Sequence, residues 1–288
     1  MTKSLAAEGP NAEQIEFWNG AQSAKWVENQ DRLDRLIEPF GIRAMDDAAP
    51  KPGERALDIG CGCGSTSLAL ADCVGAGGSV LGVDISAPML GRAAERAAEA
   101  GVAQVAFENA DAQTHAFEPA SRDLVYSRFG VMFFADPTRA FANLRTALRP
   151  GGRISFVCWR GVPENGWVVV PLGALTKVLD PPPPPEPGAP GPFSFADPDR
   201  VREILNGAGF EAIDIDAHDE KLVLGSGLEE AADFSLNNGP ASRLMADATP
   251  EQRVRAAEVV REALAPYARD GGVALPGAGW RVMAWNPR

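Results

Sequence analysis

The chain has few of the residues that usually carry acid–base or metal chemistry. Two histidines and two tyrosines occur in 288 residues. The four cysteines, Cys61, Cys63, Cys73 and Cys158, show neither a disulfide framework nor paired CxxC spacing. They read as buried thiols of a reducing compartment rather than as ligands, so no metal is expected. Positive charge is also scarce: 27 Lys and Arg face 39 Asp and Glu, for a net charge of −12, and no run of five or more basic residues occurs. So acidic a protein repels phosphate backbones, which argues against nucleic acid as a partner. The longest apolar stretch, Trp167–Leu179, is broken by Pro171, Gly173 and Lys177, well short of the roughly 20 residues that cross a bilayer. Met1–Gln14 carries one lysine and no apolar run, unlike a secretory signal. A cytoplasmic protein without membrane contact is expected. What is plentiful is apolar material, at 45%, together with 30 glycines and 24 prolines. That fraction excludes a largely disordered chain, and the length leaves ample core.

From Glu54 onward, short apolar runs alternate with helical segments, the pattern of a parallel α/β sheet. Strands are expected at Arg55–Ile59, Ser79–Val83, Gln104–Glu108, Asp123–Ser127, Arg153–Trp159, Phe210–Asp216 and Trp280–Trp285. Between them, a helix runs from about Ser65 to Val74. Another is capped by Ser86, carries Pro88 in its first turn and closes at Gly101. Further helices open at Asp136-Pro137 and Asp197-Pro198, the former ended by Pro150-Gly151-Gly152. Three segments lie outside the alternation. Residues 12–40 form one or two amphipathic helices, with Val27, Leu33, Leu36, Ile37 and Phe40 in register. Residues 161–196 form a proline-rich excursion, extended and stiff around Pro181–Pro185. Residues 224–272 insert mostly helix, including one that starts at Thr249-Pro250 with Gln252 set for a capping box. The expected organisation is an N-terminal helical lid, 1–50, and one sheet domain, 51–288, with insertions at 161–196 and 224–272.

The informative stretch is Asp58-Ile59-Gly60-Cys61-Gly62-Cys63-Gly64, leaving the first strand and entering a helix. Glycines there let the backbone turn tightly and let a ligand approach closely. The helix start behind them offers unpaired N–H groups. Strand two ends at Asp84, where a carboxylate can accept from two ribose hydroxyls, unless it is simply a solvated strand end. Counted from Gly60, the sixth position of a GxGxxG dinucleotide fingerprint is Ser65 rather than glycine.

The run from Asp58 to Gly64 instead resembles motif I of the class I S-adenosylmethionine-dependent methyltransferases. Gly82-Val83-Asp84-Ile85-Ser86 is similar to that family's second motif. Asn109-Ala110-Asp111-Ala112, Asp123-Leu124-Val125-Tyr126-Ser127 and Leu148-Arg149-Pro150-Gly151-Gly152 resemble its later ones. The ordered motifs span about residues 52–160 and look most like the ubiquinone/menaquinone-biosynthesis type. The resemblance implies a Rossmann-like α/β fold with a seven-stranded, mostly parallel sheet, helices on both faces and helical cover insertions. It further implies S-adenosylmethionine bound across the carboxyl ends of strands one, two and four. Asp58 and the turn Gly60-Cys61-Gly62 would hold the methionine end, Asp84 the ribose, and Ile85, Asp111 and Ala112 the adenine. Ser127 and Arg128 would face the sulfonium and the methyl acceptor. Ile85 and Ala112 also suit ordinary core packing.

Trp18 and Trp26 lie in the N-terminal helices, either as core or over the cofactor, where an aromatic face favours a cation by about 0.5–2 kcal/mol. Arg128, Phe129 and Met132 follow strand four and are expected to line an apolar acceptor pocket, while Phe133 and Phe134 suit the next helix. His115, after Asp111, is either a general base or a loop histidine. The expected activity is in-line methyl transfer to a small, partly apolar metabolite through an O-, N- or C-acceptor. The N-terminal helices and both insertions would enclose that acceptor. An NAD-dependent oxidoreductase and a non-methylating S-adenosylmethionine-binding protein are the alternatives. The acceptor and the oligomeric state stay open.

Overall fold

A computed structural model of the chain describes residues 5–181, 186 and 188–288. Three helices come first: α1 (Ala12–Asn19), α2 (Ala21–Glu28) and α3 (Gln30–Ala48). The sequence suggests one or two, ending near residue 40. Breaks at Gly20 and Asn29 divide the segment, and α3 runs eight residues further, carrying Pro39 inside it. Then follow β1 (Arg55–Ile59), α4 (Ser65–Val74), β2 (Ser79–Asp84), α5 (Ala87–Glu99), β3 (Val105–Asn109), β4 (Arg122–Arg128), α6 (Pro137–Ala147) and β5 (Leu148–Trp159). The remainder is α7 (Gly166–Leu175), α8 (Pro198–Gly207), β6 (Glu211–Gly225), α9 (Leu228–Asn237), α10 (Gly239–Leu244), α11 (Pro250–Leu264), β7 (Ala268–Arg269) and β8 (Gly272–Trp285).

The predicted caps form. Ser86 accepts from the Met89 N–H at the start of α5, and Asp136 accepts from Arg139 before α6. Thr249 and Gln252 bond reciprocally at the start of α11. Those side chains satisfy donors that the first helical turn leaves unpaired.

The sheet has eight strands rather than seven, in the order β3-β2-β1-β4-β5-β8-β6, with two-residue β7 added antiparallel on β8. β1 pairs in parallel with β2 and β4, β2 with β3, and β4 with β5. Three strands are markedly longer than the sequence suggests, and the first, β5, begins at Leu148 rather than Arg153. β6 continues nine residues past Asp216 through His218-Asp219-Glu220-Lys221, where charges mask an alternating strand pattern. β8 begins eight residues before Trp280. The excursion is not extended throughout either. Its nonpolar stretch Gly166–Leu175 coils into α7 despite Pro171, because α7 packs against α9 and α11, and burial of apolar side chains outweighs local propensity. Most of the Pro181–Pro185 run lies outside the described residues.

The chain forms two units. The first comprises Met1–Trp159, Gly188–Ala217 and Trp280–Arg288. In it the N-terminal helices pack on the sheet: the Tyr126 and Ser155 hydroxyls donate to the Gly41 and Ala44 carbonyls of α3, at 2.7 and 2.8 Å. Arg153 caps the end of α3 through the Ala48 carbonyl (2.6 Å) and pairs with Glu54 (2.7 Å). The second unit, Arg160–Pro187 and His218–Gly279, packs α7, α9, α10 and α11 together. Buried Asn165 imitates a strand neighbour there, accepting from Ala278 N–H and donating to its carbonyl. Among the described residues, no helix is long and apolar enough to cross a membrane.

Where β1 and β4 end, their backbones touch through two glycines. A Cβ on Gly130 would lie 2.7 Å from the Ile59 carbonyl and 2.8 Å from Gly60 Cα, and neither can yield as a side-chain tip can. Gly91, on α5, faces open space. We therefore expect Gly130→Ala to destabilise by about 1–3 kcal/mol and Gly91→Ala to stabilise by about 0.4–1 kcal/mol. Urea unfolding of both variants measures this.

Candidate functional site

β1 carries Asp58 to the carboxyl edge of the sheet, next to the glycine turn. Gly60, Gly62 and Gly64 have φ of +65°, +54° and +81°, the left-handed region that side chains disfavour. The turn is held by β2: Gly60 N–H donates to the Val83 carbonyl, and Gly62 N–H to Asp84 Oδ2, both at 2.8 Å. α4 begins directly behind it. Its Thr66 and Ser67 hydroxyls donate to Asp58 Oδ2 at 2.7 and 2.6 Å.

The other Asp58 oxygen, Oδ1, is buried and has no hydrogen-bond partner among the described residues. Buried polar atoms are nearly always paired, so an orphaned carboxylate oxygen marks a place for a ligand's donor. Burial pushes the Asp58 carboxyl from its ordinary 3.8 up to about 6, while Ser67, Thr66 and the positive charge of Arg128 pull the other way. The residues present therefore fit a ligand with a cationic donor lying against a tight glycine turn, as the methionine end of S-adenosylmethionine would.

Asp84, at the end of β2, accepts Gly62 N–H on Oδ2 and Ser86 N–H on Oδ1, each at 2.8 Å. Burial raises its carboxyl, and those two N–H groups oppose the rise. Each oxygen keeps a lone pair for a further donor. Ile85, beside it, is half-buried. Cys61 is buried among these carboxylates, so its thiol is held well above the usual range.

Three predicted residues are engaged within the protein. Asp111 accepts from Asn11 Nδ2 (2.8 Å) and Gln113 N–H (2.9 Å) on Oδ1 and from Thr114 on Oδ2 (3.2 Å), with Ala112 buried next to it. Ser127 turns its hydroxyl inward to the Ile59 carbonyl (2.7 Å) rather than outward toward a ligand. Met132 is drawn into the core, only 1% exposed, with its sulfur accepting the Trp159 N–H. Apolar contact there outcompetes the role of lining a pocket.

Arg128 leaves the end of β4 and pairs with Asp34 of α3 at 2.7 Å. Phe129 follows it at a φ of +62° and stacks on Trp159, ring centroids 4.0 Å apart, while Phe40 meets both rings edge-on. A non-glycine residue in that region is strained, and such strain concentrates at working sites. Trp18 packs edge-on against both Trp26 and Phe133, with both tryptophans half-buried. His115 stands apart, its Nε2 3.4 Å from Glu108, in a cleft of about 330 Å³ lined also by Leu5, Ile15 and Asp111.

Sequence reasoning misses how the N-terminal helices are tied down. Asn11 bonds Asp111 and the Ala135 N–H. Asn19 donates to the Ile85 carbonyl and accepts from Ala87 N–H. Asp34 joins Arg128 to Arg96, whose guanidinium also donates to the Cys63 carbonyl at 2.7 Å. Their partners lie roughly 60 to 125 residues away, so no local pattern announces them.

A family profile described as a methyltransferase domain matches residues 56–152. Nocamycin O-methyltransferase of Saccharothrix syringae is 31% identical over 212 residues, covering 71% of this chain and 75% of that protein. Aklanonic acid methyltransferase of Streptomyces sp. strain C5 is 39% identical over 127 residues, covering 44% of this chain and 58% of that protein. Among solved structures, the YcgJ protein of Bacillus subtilis shares the fold at a TM-score of 0.58 and 17% identity, covering 86% of this chain and 99% of that one.

The buried Asp58 carboxyl makes a pH prediction. Its folded value, about 6, lies above its ordinary 3.8, so the ligand-free protein gains stability as pH falls through that window. Relative to Asp58→Asn, wild type should stay level between pH 8 and about 6.5. Between about pH 6 and its ordinary value of 3.8 it should gain up to about 1.4 kcal/mol per pH unit, levelling off below that window. Chemical unfolding of the pair at several pH values reads this difference, and a flat difference would contradict it.

Proposed function

Because the chain belongs to the class I S-adenosylmethionine-dependent methyltransferases, we propose that it methylates a small, partly apolar metabolite. Family membership sets aside the NAD-dependent reading, in line with Ser65 standing where a dinucleotide fingerprint has glycine. The observation that carries the cofactor assignment is the orphaned Asp58 Oδ1 beside the glycine turn. The two relatives above are named for small-molecule acceptors, nocamycin and aklanonic acid, which supports an acceptor of that size. The excess of 39 acidic over 27 basic residues, a net charge of −12, disfavours nucleic acid as the acceptor. Four free thiols, three of them buried, support a reducing, cytoplasmic location.

Bound S-adenosylmethionine supplies a methyl group already activated by a sulfonium. In our reading, Asp58 accepts from the ammonium of its amino-acid end and the Gly60-Cys61-Gly62 turn leaves room for that end. Asp84 accepts from the two ribose hydroxyls, and Ile85, Asp111 and Ala112 border the adenine. Residues 1–50 serve as a lid, with Trp18 and Trp26 offering aromatic faces to the cation. Phe129, braced by Trp159, forms a rigid apolar wall on the acceptor side. Displacement at an activated methyl depends chiefly on alignment, and a base matters only where the acceptor is a hydroxyl or phenol. His115, oriented by Glu108, is the candidate for that task.

Calorimetry tests the cofactor assignment: micromolar binding of S-adenosylhomocysteine and none of NADH is expected, and the reverse overturns it. Asp84→Ala should weaken that binding by about 1–3 kcal/mol, since it leaves ligand hydroxyls unpaired. Methyl release to a panel of phenols, amines and carbon acids identifies the acceptor class. On the responsive acceptor, His115→Ala should lower kcat while cofactor affinity stays unchanged if the imidazole is the base.

A further inference from the structure

Asp34 is a half-buried carboxylate that the activity as described does not use. It sits on α3 with a side chain only 14% exposed, opposite Arg128 at 10%. Asp34 Oδ1 accepts from Arg128 Nη2 at 2.7 Å, while Oδ2 accepts from Arg96 at 3.1 Å and Gln30 at 2.6 Å. The register of the sheet places Arg128 close to Asp58. Asp58 pairs with Tyr126 across the β1–β4 ladder, and Arg128 lies two residues further along β4. Residues two apart share a face, so Asp58, Tyr126 and Arg128 all project toward one side. Tyr126 and Arg128 both meet α3 there, at Gly41 and Asp34. Strand spacing and rise put the Asp58 and Arg128 backbones about 8 Å apart, within the span of an arginine side chain. Two carboxylates, Asp34 half-buried and Asp58 fully buried, therefore compete for one guanidinium, and Asp58 has an oxygen unpartnered among the described residues.

We propose that Asp34 is a positioning residue that holds Arg128 away from Asp58, keeping the Asp58 carboxylate open to the ammonium group of the cofactor's amino-acid end. The proposal rests on the cofactor reading given above. Without the Asp34 charge, Arg128 is a half-buried cation lacking its counter-ion, a costly state. Rotation of its side chain onto Asp58 Oδ1 relieves that state. The guanidinium then occupies the place of the ligand's ammonium, and the site blocks itself. Arg96 cannot take this part, because it is anchored to the Cys63 carbonyl at 2.7 Å.

The test is calorimetric and uses the full chain with two probes. S-adenosylhomocysteine carries the amino-acid end, and 5′-methylthioadenosine lacks it. Asp34→Asn should weaken S-adenosylhomocysteine binding at least tenfold, while 5′-methylthioadenosine binds it and wild type within about twofold. Adding Arg128→Gln to Asp34→Asn should tighten S-adenosylhomocysteine binding by fivefold or more, because the blocking cation is gone. General damage to the fold cannot produce that recovery. Unchanged binding in Asp34→Asn, a parallel loss of both probes, or no recovery in the double variant would overturn the proposal. Wild type binding neither probe would overturn the cofactor reading itself.

Discussion

The site is organised around a carboxylate that water cannot reach. Asp58 is wholly buried, one oxygen held by two hydroxyls from α4 and the other without a partner. Removing a charged group from water is expensive unless every lone pair finds a donor. The protein leaves the last donor to its ligand, so stability is given up in the empty state and recovered on binding. The tight turn that follows has to be glycine-rich. A side chain at Gly60 would meet the Gly130 backbone just past β4, and one at Gly64 would meet Ala93 and Phe107.

The N-terminal helices complete this environment. They are fastened to the carboxyl edge of the sheet by side chains that satisfy groups on the sheet itself. Asn11 serves Asp111, Asn19 serves the backbone around Ile85, and Asp34 divides its carboxylate between two arginines. Asp58 beside them is wholly buried, and in such surroundings a low local dielectric strengthens charge-assisted contacts. The same segment thus supplies Asp34, the carboxylate that pairs with Arg128 at the end of β4. The rigid stack of Phe129 on Trp159, reached through a strained backbone at Phe129, adds an apolar wall next to it.

Much of this architecture is legible in the sequence, and what is missed follows a physical pattern. β1 and α4 are bounded at the predicted residues because Gly60–Gly64 and Gly75 punctuate them sharply. Helix caps at Ser86, Asp136 and Thr249 are local chemistry and are read correctly. β6 and β8 are underestimated because charged or glycine-containing stretches hide their alternation, and two-residue β7 carries no pattern at all. In the site, the glycine turn and Asp84 at the end of β2 stand out from local sequence, and Asp58 from the motif it opens. Asn11, Asn19 and Asp34 do not, since their meaning comes from partners far along the chain. The inward bonds of Ser127 and Met132 are hidden for a related reason: position at a strand end does not tell whether a side chain turns inward.

The central claim is that the unpartnered oxygen of Asp58 receives the ammonium of the cofactor's amino-acid end. A crystal structure of the protein with S-adenosylhomocysteine tests this most directly. The account predicts the ligand's amino nitrogen within about 2.7–3.2 Å of Asp58 Oδ1, with Arg128 still paired to Asp34. An amino nitrogen bound elsewhere, with Asp58 Oδ1 left as it is in the ligand-free protein, would contradict it.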